Sequence, residues 1–344
     1  MTFQLNLLAE SNRLERLSEI GDKLETISKA PLNWNKFKSL LDKSIPDKTQ
    51  TKSGGRPPYN KLLLFKICLL QMWYGLSDEQ AEFQINDRLS FQRFLGLDLN
   101  SKVPDRNTIW TFRENLRNSD SDIELFQLFI RELESLGIIT HKGSIIDATF
   151  VEAPRGRNTR EENEKIKNGE TPEEWDKKKR SHKDVDARWA KKNNEKYFGY
   201  KDHIKIDKES KIITCFDVTS ANVHDSQCVA GLIDENDEEM WLDSAYTGKE
   251  TEEEIRSYNS ALILHINEKG YRNKPLTDEQ KAKNREKSRV RARVEHVNGQ
   301  MTNCGGLFVR SIGKLRAETF ICLKNMAYNI NRFAYLTVKK PLQA

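Results

Sequence analysis

The chain has 344 residues, of which 37% are hydrophobic and 32% are charged, and its formal net charge is +5. This composition supports a sizeable buried core and predicts a soluble globular protein of about two domains with appendages. The longest apolar run, residues 62–74, is interrupted by Lys66 and Gln71. It is too short to cross a bilayer, so the sequence argues against an integral membrane protein.

Charge is unevenly distributed along the chain. Lys and Arg concentrate in residues 177–192 and 281–293, whereas residues 234–239 and 251–254 are acidic. Basic patches favour a polyanion partner such as nucleic acid, although a run of charge is also typical of an ordinary solvated face. The five cysteines are scattered and never spaced as CxxC. This pattern is typical of the reducing cytoplasm and argues against a zinc site or a disulfide framework.

The N-terminal segment, residues 1–47, is predicted to form amphipathic helices. One helical stripe, which Pro31 terminates, carries Leu14, Leu17, Ile20, Leu24 and Ile27. A second short helix carries Trp34, Phe37, Leu40 and Leu41. Residues 48–58 are polar and rich in Lys, Gly and Pro, which predicts a linker whose positive charge suits phosphate groups.

Residues 48–135 are predicted to form a helical domain of the helix-turn-helix type. Asn60 can cap a helix that ends at Gly75, and Asp105 can cap a later helix. The outer face of that later helix would expose Arg106, Asn107, Thr111, Arg113 and Arg117. Short helices with a basic outer helix are typical of a reader of duplex DNA, although many structural bundles share this feature.

Two short apolar segments each contain one acid. Residues 143–151 indicate a buried strand with Asp147 in its middle, and residues 240–246 indicate a strand that ends on Asp243. A carboxylate on a buried strand must regain a hydrogen-bond donor, a basic side chain or a metal ion as its partner. Either aspartate alone could be a paired structural residue, but two such strands predict one shared site.

The segment of residues 155–195 is nearly devoid of aliphatic residues and dense in Lys, Arg, Glu and Asn. It predicts an exposed, mobile insertion with some helix. Within it, Trp189 is expected to pack back onto the core or onto a ligand.

The segments after this insertion alternate between strand and helix. Residues 197–206 predict a half-buried strand with a basic face formed by Lys201, His203 and Lys205, and residues 212–219 complete a hairpin. The next elements are a helix over residues 225–233 capped by Asp225, the strand ending at Asp243, a helix capped by Thr247 with Glu250, a strand over residues 261–266, and a long helix from Thr277 to about Met301. This mixed α+β order is typical of a ribonuclease H-like domain, placed at residues 136–338, although other mixed folds share the periodicity.

The long helix carries a third candidate acid, Glu295. Residues three, four and seven apart share a helical face, so Arg291, Glu295 and Asn298 form one stripe. An ordinary surface ion pair would explain Arg291 and Glu295 by themselves. Together with Asp147 and Asp243, however, Glu295 predicts an oxygen-rich site suited to two Mg²⁺ ions. Such metals activate the attacking oxygen and stabilise the leaving oxygen in phosphodiester cleavage.

Short motifs occur along nearly the whole chain. The N-terminal part contains Gly55-Arg56-Pro57-Pro58-Tyr59, Gly75-Leu76-Ser77-Asp78, Phe94-Leu95-Gly96-Leu97, and Pro104-Asp105 with Thr108 and Arg113. The later part contains Asp147-Ala148-Thr149, Phe198-Gly199-Tyr200-Lys201 with His203, Ala221-Asn222-Val223-His224-Asp225, Asp243-Ser244-Ala245-Tyr246, and Arg291 with Val294-Glu295. With these motifs the chain resembles a bacterial DDE transposase of the insertion sequence 5 family.

This resemblance implies a ribonuclease H-like fold in which Asp147, Asp243 and Glu295 hold two Mg²⁺ ions, for which Mn²⁺ can substitute. Arg291 would assist catalysis. The implied activity is metal-dependent DNA strand cleavage and transfer of a 3′-OH end. The implied partners are double-stranded DNA of the terminal inverted repeats and of the target, bound by a homodimer at the bacterial nucleoid in the cytoplasm. Candidate DNA-binding residues are Arg56, Arg106, Asn107, Thr111, Arg113, Arg117, Lys201, His203, Arg289 and Arg293.

The chain departs from the resemblance around the glutamate. Related transposases often place a tyrosine seven residues before it and a lysine seven residues after it, where this chain has Ser288 and Thr302. The arginine four residues before the glutamate is kept as Arg291. The roles of that tyrosine and lysine therefore do not transfer to this chain.

Two other functions remain compatible with the sequence. One is a ribonuclease H-like nuclease or resolvase that cuts DNA without strand transfer. The other is a catalytically silent, transposase-derived DNA-binding protein.

Overall fold

The computed structural model describes five stretches of the chain: residues 9–46, 57–156, 158–192, 194–271 and 275–339. Most of the predicted linker at residues 48–58 lies outside these stretches, and so does Arg56. The chain divides into two compact units, the first formed by Met1–Leu125 with Met326–Ala344 and the second by Phe126–Asn325.

The first 135 residues supply eight helices within the described stretches. They are α1 (Ala9–Ile20), α2 (Lys23–Lys29), α3 (Trp34–Ser44), α4 (Lys61–Tyr74), α5 (Asp78–Asp87), α6 (Leu89–Leu95), α7 (Arg106–Asn118) and α8 (Ser121–Ser135). The predicted caps are confirmed: the side chain of Asn60 caps α4, and that of Asp105 caps α7. Gly75 ends α4 in the left-handed conformation, with φ 64°, which a residue without a Cβ adopts at little cost.

Helix α4 lies in the core of the first unit. Phe65, Ile67 and Leu69 are fully buried, as expected for a helix with apolar residues nearly all round. Full burial of each such side chain contributes about 1.5–3 kcal/mol. Trp73 donates its Nε1–H to the backbone oxygen of Ala327 at 2.7 Å, so residues near the C-terminus complete this core.

A six-stranded mixed sheet forms the framework of the second unit in the part of the chain that the structure describes. The helices and strands that follow α8 in the chain are β1 (Ser144–Glu152), α9 (Arg160–Lys167), α10 (Lys177–Ser181), β2 (Arg188–Lys192), β3 (Glu195–Asp207), β4 (Ile213–Ser220), β5 (Glu239–Leu242), α11 (Lys249–Tyr258), β6 (Ile263–Ile266), α12 (Asp278–Asn303) and α13 (Lys314–Ala334). The part of α13 from Met326 onward belongs to the first unit. The strand order is β2-β3-β1-β5-β6, and β4 also pairs with β3. None of the helices in the described stretches has the length and apolar character needed to span a bilayer.

The sheet joins an antiparallel half to a parallel half at β1. Strand β1 is antiparallel to β3 but parallel to β5, with Ser144 opposite Met240. Asp147 lies three residues beyond Ser144, and Asp243 lies three residues beyond Met240. Because neighbouring strands are about 4.8 Å apart, this register places the two aspartates side by side. Helix α12 packs on both strands that carry them.

Gly199 lies where β3 changes partners. Its backbone φ is 152°, and a Cβ at this position would come within 2.2 Å of the backbone oxygen of Val151. Any side chain would therefore push β3 away from β1. The packing explains why the motif that begins at Phe198 has glycine as its second residue.

The prediction that β3 is half-buried with a basic face is wrong, because that face is buried as well. His203 and Lys205 are 0% and 3% exposed. Lys205 forms an ion pair with Asp237 at 2.9 Å, with both side chains almost completely buried. Strand β3 is paired on both edges and packed on both faces, so its cations are neutralised inside the protein instead of facing water.

The predicted helix at residues 225–233 is also corrected. The structure has two short 3₁₀ turns there, Asp225–Gln227 and Ala230–Leu232, and the cap is the side chain of His224. Helix α11 begins after Gly248, which provides no side-chain cap, so the predicted capping by Thr247 is not found in this described region. By contrast, Thr277 and Gln280 form the predicted capping box of α12.

The hydrophilic segment at residues 155–195 contains ordered structure as well as exposed surface. It forms α9, α10 and β2, and β2 pairs with β3 as an edge strand of the sheet. Trp175 is 3% exposed and donates its Nε1–H to Glu162 at 2.7 Å. Trp189 is 50% exposed, although its ring lies 5.2 Å from that of Phe198. Trp189 therefore packs onto Phe198 as expected, but about half of its side chain remains exposed to solvent.

Candidate active site

Asp147 lies on β1, on the face covered by α12. Burial raises the pKa of its carboxyl, and the nearby Arg291 guanidinium opposes that rise. Asn298 donates its Nδ2–H to Oδ2 of Asp147 at 3.1 Å. Nη2 of Arg291 lies 3.7 Å from Oδ1. One helix therefore supplies both partners that a buried acid requires.

Asp243 directly follows β5 and begins the 3₁₀ turn Ser244–Tyr246. Its Oδ1 accepts the backbone N–H of Ser244 at 2.6 Å, so the aspartate caps this turn. The same oxygen lies 3.2 Å from Nη1 of Arg291. The side chain of Asp243 is 43% exposed, compared with 22% for Asp147. Asp243 is therefore the solvent-facing member of the pair.

One guanidinium joins the two carboxylates. Arg291 directs Nη1 toward Asp243 and Nη2 toward Asp147, and its side chain is 13% exposed. A planar fork of donors can contact two acids at once, which a lysine ammonium cannot do with the same geometry. The Nε of Arg291 is buried without a hydrogen-bond partner among the described residues. The structure thus brings three of the four candidate catalytic residues together.

Glu295, the fourth, lies on the exposed side of α12. Val294 lies on the buried side of this helix, and each successive residue is rotated by about 100°. Arg291 and Asn298 lie closer to the buried side than Glu295 does. Its carboxylate has no ion pair or hydrogen bond with any residue in the described stretches.

The residues fit a divalent cation at the aspartate pair. Carboxylate oxygens are hard ligands suited to Mg²⁺, and those of Asp147 and Asp243 already converge on a positive group. The Oδ1 of Asn298 is buried beside Asp147 without a hydrogen-bond partner in the described stretches, so it offers a further oxygen. No group of three or more His, Cys, Asp and Glu side chains among the described residues is placed to hold a metal. In this arrangement the side chain of Glu295 is not gathered with the two aspartates.

Lys201 and His203, which were expected to contact DNA, lie inside the second unit. Lys201 donates through Nζ to the backbone oxygen of Val223 and to Oδ1 of Asp225, both at 2.7 Å. His203 is fully buried, with Nε2 2.8 Å from Oγ1 of Thr219. Burial lowers the pKa of this imidazole. The expectation of direct DNA contact is therefore corrected for both residues.

Part of the predicted DNA-binding face of α7 is exposed. Arg106, Asn107 and Thr111 all face solvent. Trp110 shares this face and is 47% exposed, which the sequence analysis did not anticipate. The exposure of Trp110 could have been predicted from its position four residues after Arg106, because residues four apart lie on the same side of a helix.

Arg113 does not lie on that exposed face, contrary to the prediction. Its Nη1 and Nη2 donate to the two carboxylate oxygens of Asp78 at 2.5 and 2.8 Å, and Nη1 also donates to Gln71 at 2.8 Å. Burial favours protonation of Asp78, but the Arg113 hydrogen bonds hold the pKa of that carboxyl below its ordinary value. Arg113 therefore links α4, α5 and α7 within the helical unit.

The remaining candidate arginines differ in their freedom to contact DNA. Arg117 is also not freely exposed: its side chain is 23% exposed and lies 3.0 Å from Glu114. Arg293 donates through Nη1 to Glu209 at 2.9 Å. Arg289 is exposed on α12. Of these three arginines, Arg289 is the one whose side chain is free to contact DNA from solvent.

Ser288 and Thr302, the two positions near Glu295 that depart from related transposases, each form a hydrogen bond within the second unit. Oγ of Ser288 accepts the Nδ2–H of Asn267 at 3.3 Å, and Thr302 donates its hydroxyl to the backbone oxygen of Asn298 at 2.9 Å. Asn298 itself contacts Asp147, a role the sequence analysis did not assign. The signal for Asn298 was its place on the same helical stripe as Arg291.

Comparison with known protein families matches both parts of the chain. The family described as Transposase DDE domain matches residues 139–330, and the family described as Transposase domain (DUF772) matches residues 12–115. The mixed sheet that carries the aspartate pair thus lies within a transposase DDE domain. The first match covers more than half of the 344 residues, so the chain belongs to the DDE transposases.

This family assignment confirms the resemblance to a DDE transposase. DDE domains belong to enzymes that cut and transfer polynucleotides, and DNA is the partner that the family implies. Membership of the insertion sequence 5 family remains a prediction.

Proposed function

We propose that this protein is an insertion-sequence transposase of the insertion sequence 5 family. It binds the terminal inverted repeats of its element, cleaves DNA strands and joins the freed 3′-OH to target DNA. The observation that carries this proposal is the convergence of Asp147 and Asp243 on one cationic position, in a chain that matches two transposase domains.

We propose a ribonuclease H-like fold for the second unit. Strands β1, β3 and β4 form an antiparallel group, and β5 and β6 extend the sheet in parallel from β1. Helices follow β5 and β6 in the chain. This order supports the proposal because the two acids lie on the neighbouring strands β1 and β5, where such a fold carries its catalytic carboxylates.

The proposed cofactor is Mg²⁺, as two ions for which Mn²⁺ can substitute, with Asp147, Asp243 and Glu295 as ligands. Bound metal supplies activation of the attacking oxygen and stabilisation of the leaving oxygen. The aspartate pair supports the site, and so does the Oδ1 of Asn298, which has no hydrogen-bond partner in the part of the chain that the structure describes. Glu295 supports it by its position one helical turn after Arg291.

The chain's own residues prepare the site for a phosphodiester. Asn298 fixes the orientation of the Asp147 carboxylate. Arg291 holds the two acids together, and its fork of donors beside the partly exposed Asp243 suits a phosphate oxygen at this position. Exclusion of water around Asp147 strengthens each of these interactions.

We propose that α7 contributes to recognition of the inverted repeats in a helix-turn-helix arrangement. Arg106, Asn107 and Thr111 present polar groups on its exposed face, and Trp110 adds an aromatic surface. The exposed Arg289 is proposed to contact the DNA backbone. A homodimer that holds both DNA ends, acting at the nucleoid of a bacterial cytoplasm, completes this proposal.

The decisive experiment uses duplex DNA taken from the sequences that flank the gene, here called flanking duplex. Asp147→Asn, Asp243→Asn and Glu295→Gln should each abolish Mg²⁺-dependent cleavage and joining but leave binding of flanking duplex nearly unchanged. Their combined effect should be no larger than that of one substitution, because ligands of shared metals act as a unit.

Each other outcome has a defined meaning. Full activity in any one variant would remove that residue from the site. Cleavage by the unmodified protein without joining would favour the nuclease or resolvase. Specific binding without cleavage would favour the silent DNA-binding protein.

A further inference from the structure

We infer that Lys201 is a positioning residue that fixes Asp243 through the turn at Asp225. The inference rests on the proposed function, in which Asp243 belongs to the active site. It also gives a role to a lysine that is largely buried, with a side chain only 12% exposed.

The first link joins β3 to the segment of residues 223–225. The Nζ of Lys201 donates to the backbone oxygen of Val223 and to the carboxylate of Asp225, both at 2.7 Å. One ammonium therefore fixes both the path of the backbone and the first side chain of the 3₁₀ turn Asp225–Gln227.

The second link joins that turn to Asp243. The turn Asp225–Gln227 packs against the turn Ser244–Tyr246, which Asp243 caps through its hydrogen bond from Ser244. Tyr246 is 1% exposed and packs with Val229 in the core. Burial and the neighbouring Asp225 carboxylate raise the pKa of Tyr246, as expected if the two turns are close. A shift of the first turn would thus be passed to the cap residue of the second.

The chemistry of the residue supports a positioning role. A buried ammonium costs desolvation free energy, and an apolar side chain of similar size would fill the same volume without that cost. What lysine adds is a directed bond to two acceptors on one loop. Lys201 therefore fixes the geometry of residues 223–225 and, through them, of the turn Ser244–Tyr246 that packs on this loop.

Lys205 provides a matched control on the same face of β3. It makes a buried ion pair with Asp237 at 2.9 Å, and Asp237 also accepts the N–H of Asp234 at 2.9 Å. That pair fixes the turn before β5, whereas Lys201 acts on the turns beside the end of β5. The two lysines therefore anchor opposite ends of the strand that leads to Asp243.

The test measures hydrogen exchange of the full-length protein without DNA or metal. Lys201→Met should speed exchange about tenfold in residues 223–228 and also in residues 243–247, because local opening becomes easier in both turns. Lys205→Met should speed exchange in residues 234–238 and leave residues 243–247 unchanged. Asp225→Asn, which keeps the shape of the partner but removes its charge, should repeat the Lys201→Met pattern to a smaller extent.

The result that would overturn the inference is faster exchange confined to residues 223–228, or no change, in Lys201→Met. If Lys201→Met does not fold, hydrogen exchange of residues 223–228 and 243–247 in Asp225→Asn decides between the two outcomes. This measurement needs no catalytic activity, so it remains decisive even if the unmodified protein cleaves no DNA and the proposed function fails.

Kinetics on flanking duplex supply a second readout. Lys201→Met should lower kcat about 10- to 100-fold with KM unchanged, because a small displacement of a catalytic group is costly. A direct DNA contact would instead raise KM and reduce the salt dependence of binding by one phosphate contact. A raised KM with unchanged kcat would therefore overturn the positioning role.

Discussion

A single guanidinium is shared by two carboxylates at the centre of the candidate site. Arg291 lies 3.2 Å from Asp243 and 3.7 Å from Asp147, and all three side chains lose part of their hydration there. Without the arginine, two like charges on adjacent strands would repel each other at short range. The positive group thus offsets the repulsion between the two carboxylates.

Replacing this arginine should expose the need for a cation. We expect Arg291→Gln to lower the free energy of unfolding by about 2 kcal/mol, since it leaves two charged acceptors incompletely paired. Added Mg²⁺ should raise the thermal midpoint of this variant more than that of the unmodified protein, since the metal binds only the folded pair. Thermal unfolding with and without Mg²⁺ measures both effects.

Arg289→Gln is the control, because Arg289 is exposed on the same helix. It should change neither the free energy of unfolding nor the response to Mg²⁺. An equal Mg²⁺ response in all three proteins would argue against a cation site at the aspartate pair.

Asp202 should make the stability of the second unit depend on pH. It is 1% exposed, and burial raises its pKa to about 8 from the ordinary value of 3.8. Asn325 donates to its Oδ1 at 3.2 Å, and its Oδ2 is buried without a hydrogen-bond partner among the described residues. Between about pH 4 and pH 8 the native state therefore keeps a proton that the unfolded chain has released, so stability falls as pH rises.

The variant Asp202→Asn should lack this contribution. Relative to the unmodified protein it should gain stability as pH rises from about 4 to about 8. Urea unfolding at several pH values measures the difference. Glu253→Gln, a change at an exposed acid of α11, is the control and should keep the original slope. Parallel pH profiles for Asp202→Asn and the unmodified protein would show that Asp202 ionises normally.

Helix α7 illustrates how one element divides its polar residues between two tasks. Arg106 is 58% exposed, whereas Arg113 is 23% exposed and holds Asp78 of α5. The two arginines lie seven residues apart, close to two full turns, so small differences in neighbouring helices decide which one is covered. Helix α5 contributes a carboxylate to each: Asp78 to Arg113 and Glu79 to Arg106 at 3.6 Å.

Substitution of the two arginines should therefore have opposite consequences. We expect Arg113→Met to lower the free energy of unfolding by about 2 kcal/mol, less than the roughly 3–5 kcal/mol of a fully buried pair because part of each side chain is exposed. Its affinity for flanking duplex, per folded molecule, should be unchanged. Arg106→Met should leave stability nearly unchanged and weaken DNA binding. Urea unfolding and binding titrations measure the two quantities, and a stability loss in Arg106→Met alone would reverse the assignment.

At the scale of the whole molecule, the C-terminal residues belong to the core of the N-terminal helical unit. Met326, Ile330 and Phe333 are at most 1% exposed, and the backbone oxygen of Ala327 accepts the Trp73 indole N–H. Residues separated by more than 200 positions thus share one core. The first unit therefore cannot complete its core without the residues from Met326 onward.

Truncation after Asn325 should therefore destabilise the first unit as well as shorten the chain. The cut removes large buried side chains, each worth about 2–5 kcal/mol when deleted from a core. We expect loss of the cooperative unfolding transition of the helical unit, measured by circular dichroism and by the fluorescence of Trp73. Trp73→Phe removes the indole donor and part of the ring but keeps an aromatic side chain, and it should cost about 1–3 kcal/mol while the transition is retained. A truncated chain with an unchanged transition would show that the helical unit folds from residues 1–125 alone.

The helix caps and the strands at Asp147 and Asp243 were determined by the local sequence around each of them. Caps at Asn60, Asp105 and Thr277 were predicted from adjacent residues, because a side chain that binds an N–H two or three residues away needs no tertiary partner. The strands bearing Asp147 and Asp243 were predicted from short apolar runs with an acid. Local chemistry was sufficient in each case.

Only the tertiary structure decided which faces were covered. Periodicity shows that Lys201 and Lys205 share a face of β3, but not that other elements bury this face and supply acids to pair with it. In the same way, the stripe on α12 contains both Asn298 and Glu295, and the packing of the helix on the sheet turns Asn298 toward Asp147 and leaves Glu295 exposed. A helix or strand repeats its own geometry, whereas the partner of each face comes from residues far away in the chain.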